Sequence, residues 1–261
     1  MRSEYKYIVH KSKMEKLREM ILPFVDIDKF AKGRPGNHYT VKSIYFDSPY
    51  FQFYTEKVHH EKHRKKVRLR GYNSENASNT VFLEIKRKYE APIFKNRCPL
   101  KYEDSKQIFK GKSIESFVEN NLKFPNAVDD AKRFFYQIYS RKLLPVVNVI
   151  YEREPFLGKL DRNIRITFDK NLRSSPYPTI DDLYNEKRIR YALKDYFILE
   201  VKFNDYYPSW MKPIVGVLHL SKVPASKYTI CIDSHNMLNK VLKPAAFTYV
   251  RLFNNKKTEL V

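Results

Sequence analysis

Apolar and charged residues alternate along several stretches of the chain, most clearly between residues 63 and 89. In two neighbouring runs there, every second residue is charged and the residues between them are mostly apolar. In the first run the charged positions are Arg64, Lys66, Arg68 and Arg70, and Val67 and Leu69 lie between them. In the second run the charged positions are Glu84, Lys86 and Lys88, and the alternate positions are Val81, Leu83, Ile85 and Arg87. Because successive side chains of a strand point to opposite faces, each run predicts a strand with one apolar and one cationic face.

Like charges two positions apart on such a face lie about 6.5 Å from each other. They repel by on the order of 2 kcal/mol per pair at an effective dielectric of about 20. Water and salt screen this repulsion on an exposed face, so a single charged strand indicates no more than a solvated surface. Several such strands in one sheet favour a surface that binds a polyanion.

The same patterns predict elements along the rest of the chain. We expect strands near residues 3–10, 39–47, 63–72, 79–89, 93–103, 145–154, 163–169 and 196–204, helices near 12–23, 114–121, 129–141, 208–219 and 226–240, and a loop over residues 175–178. About eight antiparallel strands can close into a barrel, which removes exposed edges. The predicted fold is therefore α+β, a mostly antiparallel, eight-stranded closed β-barrel with flanking helices, in a single domain over residues 1–261.

Charged residues keep one parity on the remaining predicted strands as well. They include, in chain order, Arg2, Glu4, Lys6, Lys95, Arg97, Arg153, Arg165, Glu200 and Lys202. If the apolar faces pack against the helices, the charged faces must line the inside of the barrel. The pattern therefore predicts a polar tunnel in place of a filled barrel.

Composition narrows the classes of function. The chain has 50 Lys and Arg against 29 Asp and Glu, a net charge of +21 that attracts anionic partners. It has only 6 glycines and no Gly-rich phosphate loop, so side chains must hold any phosphate. Its two cysteines, Cys98 and Cys231, lack zinc-ligand spacing. With no apolar leader and no apolar stretch of about 20 residues, we expect a soluble cytoplasmic domain.

Nine short segments, in the same order along the chain, resemble the triphosphate tunnel metalloenzymes, or CYTH superfamily. Within it, they are most similar to the catalytic domain of the vacuolar transporter chaperone (VTC) polyphosphate polymerases. The segments are RSEYKY at 2–7, SIYFDS at 43–48, KVRLRGY at 66–72, VFLEIKRK at 81–88, IFKNR at 93–97, YEREPF at 151–156, IRITFDKNL at 164–172, FILEVKF at 197–203 and ASKY at 225–228. The superfamily begins with ExExK, whereas Arg2 replaces the first Glu here, which favours the polymerase-like branch and removes one metal-binding carboxylate.

The resemblance implies roles for the charged residues of these segments. It implies as catalytic residues Lys6, Arg68, Arg70, Lys86, Arg153 and Arg165, as substrate-binding residues Lys66, Lys88, Lys95, Arg97, Lys202 and Lys227, and as metal ligands Glu200 and Glu84. Arg suits phosphate because its planar fork holds two oxygens at once. The implied cofactor is Mn²⁺ or Mg²⁺, which takes oxygen ligands from carboxylates and phosphates together.

The implied reaction passes the terminal phosphate of ATP to a growing polyphosphate chain and releases ADP. It needs alignment and charge neutralisation but no nucleophilic side chain. The expected partners are ATP, inorganic polyphosphate and a membrane protein that would hold the domain at a membrane. Two alternatives stay open: a triphosphatase that uses water as acceptor, and a non-catalytic module that binds polyphosphate or nucleic acid.

Simpler interpretations fit single residues. Glu84 could form an ordinary ion pair with Lys86, and Glu200 could pair with Lys202 or Arg165 and bind no metal. The aromatic residues that could stack on nucleic-acid bases fall on the apolar parity, among them Tyr5, Tyr7, Phe197 and Phe203. Core packing explains these aromatic residues, and no specific nucleic acid is expected as a partner.

Overall fold

The computed structural model describes residues 2–75, 79–90 and 93–238. The strands are β1 (Arg2–His10), β2 (Val25–Ile27), β3 (Tyr39–Asp47), β4 (His63–Tyr72), β5 (Thr80–Tyr89), β6 (Ile93–Lys101), β7 (Leu144–Gly158), β8 (Arg165–Pro176), β9 (Arg190–Tyr191) and β10 (Tyr196–Asn204). The α-helices are α1 (Met14–Ile21), α2 (Gln52–Val58), α3 (Tyr102–Phe109), α4 (Ala127–Ser140), α5 (Met211–Val217) and α6 (Lys227–Ser234). The predicted mixture of a mostly antiparallel sheet with flanking helices is confirmed.

All eight predicted strands are present, but several other elements differ from the prediction. β8 runs to Pro176, so the loop expected over residues 175–178 begins later. The helix predicted over residues 114–121 is wrong, because turns occupy this stretch. There the side chain of Asn121 accepts the backbone N–H of Phe124 at 2.9 Å, and Asn120 accepts that of Val128 at 3.0 Å. Such local bonds compete with a helix. Of the helix predicted over 226–240, the last two positions lie outside the described residues.

The predicted closed barrel is wrong among the described residues. The hydrogen-bonded strand order is β1-β10-β8-β7-β3-β4-β5-β6, with β2 on β7 and β9 on β8, so β1 and β6 are two unjoined ends. Each end is covered locally instead. Asp130 of α4 accepts the backbone N–H of Arg97 on β6 at 2.8 Å, and Val223 donates to the backbone carbonyl of Lys6 on β1 at 2.9 Å. A helix or loop that covers an edge strand can satisfy its backbone hydrogen-bonding groups without closing the sheet into a barrel.

The chain divides into two compact units. Among the described residues, the first unit lies within Met1–Val41, Ile150–Arg173 and Tyr191–Ile230, and the second lies within Lys42–Val149, Ser174–Arg190 and Cys231–Val261. The prediction of one domain over residues 1–261 stays a prediction, because residues 239–261 lie outside the described part of the chain.

In the first unit, the apolar parity of the sheet packs on α1 and α5. Val9 of β1, Phe168 of β8 and Leu199 of β10 are fully or almost fully buried, and they share one core cluster with Leu17 of α1 and Met211 of α5. Burying side chains of this size contributes roughly 1.5–3 kcal/mol each. The sheet's other face is therefore left for the charged residues of the same strands.

In the second unit, the apolar parity of β4 and β5 packs on α3 and α4. Val67 and Leu83 are buried in one core with Phe109 of α3 and Phe134 of α4. The stacked rings of Phe46 and Phe109, with centroids 5.7 Å apart, extend this core to β3. The basic parity of β4 and β5 accordingly lies on the opposite face. Across both units, no described helix is long and apolar enough to span a bilayer.

Candidate functional site

Charged residues of β1, β8 and β10 meet on one face of the sheet in the first unit. Lys6 lies opposite Glu200 in the β1–β10 register, and Glu4 lies opposite Lys202. On the other side of β10, Glu200 lies opposite Thr167 of β8. The period-two pattern of the sequence therefore brings acidic and basic side chains from distant segments into direct contact.

The carboxylate of Glu200 is the centre of this group. Lys227, at the first position of α6, places its Nζ 2.6 Å from Glu200 Oε1 and 2.5 Å from Asp169 Oδ2. Lys202 Nζ lies 3.1 Å from Glu200 Oε2, and Lys6 Nζ lies 3.7 Å from Oε1. We call the group the Glu200 cluster: Glu4, Lys6, Arg153, Asp169, Glu200, Lys202 and Lys227.

Arg153 of β7 ties together the two buried carboxylates of the cluster. Its Nε and Nη2 donate to the two oxygens of Asp169 at 2.7 Å each, and Nη2 lies 3.5 Å from Glu200 Oε2. The ring of Tyr151 lies beneath these cations, with its centroid 5.2 Å from Arg153 Cζ and 4.9 Å from Lys227 Nζ. A two-bonded arginine on a ring is held in one orientation.

The pKa shifts follow from burial and from these contacts. Burial alone would raise the pKa of Glu200, but Lys202, Lys227, Lys6 and Arg153 together lower it well below its usual value. Burial would lower the pKa of Lys227, yet the nearby carboxylates of Asp169 and Glu200 raise it. Glu200 is thus an ionised carboxylate and Lys227 a charged ammonium group, both held out of water.

Two buried polar atoms beside the Glu200 cluster have no hydrogen-bond partner in the described chain: Thr167 Oγ1 and Arg165 Nε. Arg165 lies opposite Lys202 in the sheet register. Its Nη2 lies 3.4 Å from Asp28 Oδ2 and 3.4 Å from the hydroxyl of Tyr39. Buried polar groups are normally satisfied, so this unpaired donor is available to an oxygen atom of a ligand or of water.

The second unit carries its own group of charges on the basic face of β4, β5 and β6. Arg68, Glu84 and Arg97 lie side by side across the three strands. Arg68 Nη2 approaches Glu84 Oε2 to 2.6 Å, while Lys95 Nζ and Arg97 Nε each lie 3.0 Å from Oε1. With Arg70, which is 3.8 Å from Oε2, these residues form what we call the Glu84 cluster: Arg68, Arg70, Glu84, Lys95 and Arg97.

Burial of Glu84 and the cations around it have opposite effects on its pKa. The side chain is 1% exposed, which by itself would raise the pKa, but Arg68, Arg70, Lys95 and Arg97 lower it far below the usual 4.5. Four cations thus share one carboxylate. The excess of positive charge makes this face a favourable place for further anions.

Three more predicted residues continue the basic face of the Glu84 cluster. Lys66 lies opposite Lys86 in the β4–β5 register, and Lys86 lies opposite Lys95 in the β5–β6 register. Lys88 lies opposite Arg64. The structure therefore brings the predicted site residues into two groups, one in each unit, with Arg165 beside the Glu200 cluster.

The described residues contain no group of three or more His, Cys, Asp or Glu side chains that could hold a metal ion by themselves. Glu200 and Asp169 nevertheless fit a divalent cation, because both are ionised and unpaired Thr167 Oγ1 lies on the neighbouring strand. The remaining ligands would come from phosphate and water. At Glu84, cations contact both oxygens as they do at Glu200, but the Glu84 cluster has no second carboxylate to share an ion, which favours a counter-ion role.

The sequence-based prediction omitted Asp169 and Thr167 from the site. Both share the parity of Arg165 on β8, so the alternation contained the signal. Asp169 alone was also a weak clue, since Asp is common at strand ends and β8 was predicted to stop at residue 169. The strand in fact continues to Pro176, which places Asp169 within a buried strand.

The VTC domain model matches residues 1–236, most of the chain. The chain belongs to the VTC domain family. The family resemblance of the nine sequence segments is thereby confirmed.

Two curated relatives carry the same name, vacuolar transporter chaperone complex subunit 4. The Schizosaccharomyces pombe protein is 26% identical over 303 aligned positions, which cover 96% of this chain and 41% of that protein. The Trypanosoma brucei brucei protein is 26% identical over 270 positions, covering 87% of this chain and 33% of that protein. The chain therefore spans less than half the length of these VTC relatives.

Two solved structures resemble the chain more distantly. The PH1819 protein of Pyrococcus horikoshii is 14% identical with a TM-score of 0.45, over 92% of this chain and 99% of its own. The Hippeastrum protein HpAC1, described as having a dominant triphosphatase activity, is 12% identical with a TM-score of 0.48. The match covers 88% of this chain and 94% of HpAC1. At these TM-scores the likenesses do not establish the fold of the VTC chain.

Proposed function

We propose that this VTC domain is a metal-dependent polyphosphate polymerase, which transfers the γ-phosphate of ATP to the end of an inorganic polyphosphate chain. The observation that supports it best is the Glu200 cluster. Lys6, Arg153, Lys202 and Lys227 converge there on buried carboxylates, beside an unpaired Thr167 hydroxyl. Such an arrangement fits a highly charged phosphate substrate.

In the proposed reaction, the cations of the Glu200 cluster exchange part of their contact with carboxylates for contact with phosphate. An oxygen of the terminal phosphate of the polymer attacks the γ-phosphorus of ATP. The bond from that phosphorus to the β–γ bridging oxygen breaks, and ADP leaves with the bonding electrons. Arg153, held in place by its two hydrogen bonds to Asp169, neutralises charge on the transferred group with little reorganisation.

Mn²⁺ or Mg²⁺, when bound, would supply further neutralisation of phosphate charge and would be held by Glu200 and Asp169. Glu200 is suited to this role because the pKa of its carboxyl is far below the usual value. Lys227 shares both carboxylates and would have to shift when the ion binds, since its Nζ lies between them. Few protein ligands suffice when phosphate oxygens complete the shell.

The Glu84 cluster is proposed as a second phosphate-binding surface. Arg68, Arg70, Lys95 and Arg97 surround one carboxylate, and Lys66, Lys86 and Lys88 continue the same face. Arg97 is held over the ring of Phe82 with its Cζ 3.6 Å from the centroid. Arginines fixed in this way lose little entropy when they bind phosphate.

A membrane-protein partner is proposed as well. The relatives are named as subunits of a vacuolar transporter chaperone complex, which supports complex formation by this chain. Such a partner would hold a cytoplasmic catalytic domain at a membrane and receive the anionic product.

The test is a product assay with γ-labelled ATP and Mn²⁺. The polymerase is supported if long anionic polymer forms and the phosphate units added to it equal the ADP released, since every transferred phosphate must appear in the chain. Free phosphate with ADP would instead identify a triphosphatase that uses water as acceptor. Binding of ATP without turnover would contradict both enzymatic activities and identify a non-catalytic binding module.

A matched pair of variants assigns the activity to the Glu200 cluster. Arg153→Gln should reduce turnover at least about a hundredfold, as expected when a fixed charge donor to the transition state is lost. Arg162→Gln removes the same charge in the same unit from a side chain that is 63% exposed and paired with Asp26. It should leave turnover unchanged. Equal activity of the two variants would contradict the role of Arg153.

A further inference from the structure

A cavity of about 290 Å³ lies in the second unit, on the face of the sheet opposite the Glu84 cluster. Lys65 of β4, Arg87 of β5 and Asn96 of β6 line it from the sheet, and Lys132, Arg133 and Gln137 line it from α4. Arg87 takes the parity of buried Ile85, where an apolar residue would be expected. A charge at this position requires an explanation other than the proposed catalytic face.

The charged side chains that line the cavity are all cationic. Lys132 pairs with Glu115 at 2.8 Å. Among the described residues, no carboxylate lies within ion-pair distance of Lys65, Arg87 or Arg133. The nearest carboxylates bond to other groups, Glu56 to the backbone N–H of Lys65 and Asp130 to Asn96, so the positive charge of the wall is only partly offset and attracts an anion.

Arg87 is held in place but incompletely bonded. Its Nη2 donates to Asn96 Oδ1 at 2.9 Å, and Asn96 Nδ2 donates in turn to Asp130 Oδ1 at 2.7 Å. Arg87 Nε and Gln137 Oε1 are buried with no hydrogen-bond partner in the described part of the chain. The unpaired Nε–H is a buried donor, and the amide of Gln137 can turn its NH₂ group toward an acceptor.

Crowding of cations also affects Lys65. Burial, together with the charges of Arg141 and Arg87, lowers the pKa of this lysine, although Glu56 opposes the shift. An anion beside Lys65 and Arg87 would relieve this repulsion.

We propose that this cavity, the Arg87 pocket, is an additional site that binds a small phosphate anion on the face of the sheet opposite the Glu84 cluster. A cavity near 290 Å³ has room for one small ligand. A terminal phosphoryl group provides acceptors for the Arg87 guanidinium and for Lys65 at once. The ligand is either free diphosphate or the end of a polyphosphate chain, which share this group. The inference does not rest on the proposed polymerase activity, because it concerns binding only.

The test is calorimetric titration of the whole chain with inorganic diphosphate and, in parallel, with long-chain polyphosphate. The variant Lys65→Gln/Arg87→Gln should lose one diphosphate site or bind there at least about tenfold more weakly, as expected for lost charge-assisted hydrogen bonds. A similar loss with the polymer identifies a chain end as ligand. A loss with diphosphate only identifies the free anion.

The matched control is Lys110→Gln/Lys112→Gln, which removes the same charge from two exposed positions of the second unit. It should bind diphosphate like the unmodified chain. If circular dichroism shows that the first variant does not fold, Lys132→Gln/Arg133→Gln removes charge from the exposed rim of the pocket and should weaken the same site. Equal stoichiometry and affinity in the folded pocket variant and the control would overturn the proposal.

Discussion

Replacing Glu84 by glutamine removes one negative charge from the centre of the Glu84 cluster and hardly changes its shape. Four cations then lose their shared counter-ion: Arg68, Arg70, Lys95 and Arg97. We expect the variant to be markedly less stable than the unmodified chain in buffer without phosphate. Tripolyphosphate should recover much of the loss, because an anion on this face replaces the missing charge.

The magnitude follows from the contact distances. Arg68, Lys95 and Arg97 approach Glu84 to 2.6, 3.0 and 3.0 Å. A pair at such a distance is worth roughly 5 kcal/mol at an effective dielectric of about 20. Desolvation of the carboxylate offsets much of that, and half-exposed Lys95 contributes least. Removing one partner of a buried ion pair costs about 3–5 kcal/mol, which is the loss we expect for Glu84→Gln.

The assay is urea unfolding monitored by circular dichroism, with and without tripolyphosphate. Glu103→Gln is the matched control, because Glu103 is 50% exposed and pairs with Lys106 at 3.3 Å. An exposed pair contributes less than about 1 kcal/mol, so this variant should stay close to the unmodified chain at every phosphate concentration.

The pH dependence gives a second measurement on the same variant. The pKa of Glu84 is depressed in the folded chain, so its stabilisation is complete above the unfolded value of 4.5 and is lost as the pH falls below it. The unmodified chain should lose more stability than Glu84→Gln in that range. Equal stability of the two chains at neutral pH, or an equal response to tripolyphosphate, would refute the counter-ion role of Glu84.

Three further predictions concern the Glu200 cluster and its surroundings. Lys227→Met leaves Asp169 and Glu200 without their shared ammonium group. Urea titration should therefore show a loss of about 3–5 kcal/mol in the free energy of unfolding, which Mn²⁺ partly restores. An unchanged free energy of unfolding would contradict the shared contact. Arg165→Gln should raise the KM for ATP about tenfold in steady-state kinetics, and an unchanged KM would remove Arg165 from the site. Tripolyphosphate at a hundred times its Kd should add about 2.7 kcal/mol of stability, seen as a clear rise in Tm, and an unchanged Tm would contradict binding.

The period-two pattern was sufficient to predict the faces of the strands. Val67 and Leu69 are fully buried while Arg68 and Arg70 contact Glu84 on the other face. This succeeded because alternation is imposed by strand geometry itself and is independent of what lies further along the chain. The sheet faces were therefore predictable residue by residue.

Closure of the sheet was not predictable in the same way. Whether an edge strand pairs or is covered depends on segments far away in sequence. Here Asp130 covers a backbone N–H of β6, and Val223 bonds to the backbone of β1. Neither contact leaves a periodic signal, so the rule that barrels remove edges led to the wrong prediction.

The sequence pattern also did not predict which charged residues pair with each other within the clusters. Glu84 was considered with its near neighbour Lys86, whereas Arg97 of β6 is its cross-strand neighbour and contacts it directly. Asp169 was overlooked because its importance comes from Arg153 and Lys227, which reach it from β7 and α6. Alternation identifies the face of a side chain, but register and helix placement decide which charge it meets.

The central claim is that the Glu200 cluster holds phosphate and a divalent cation together. The most direct measurement is a crystal structure of the chain with tripolyphosphate and Mn²⁺, in which anomalous scattering locates the metal. We predict phosphate oxygens in contact with Lys6 and Arg153, and Mn²⁺ bound to Glu200. A structure with tripolyphosphate and Mn²⁺ bound elsewhere, and with Lys227 still bridging Glu200 and Asp169, would contradict the account.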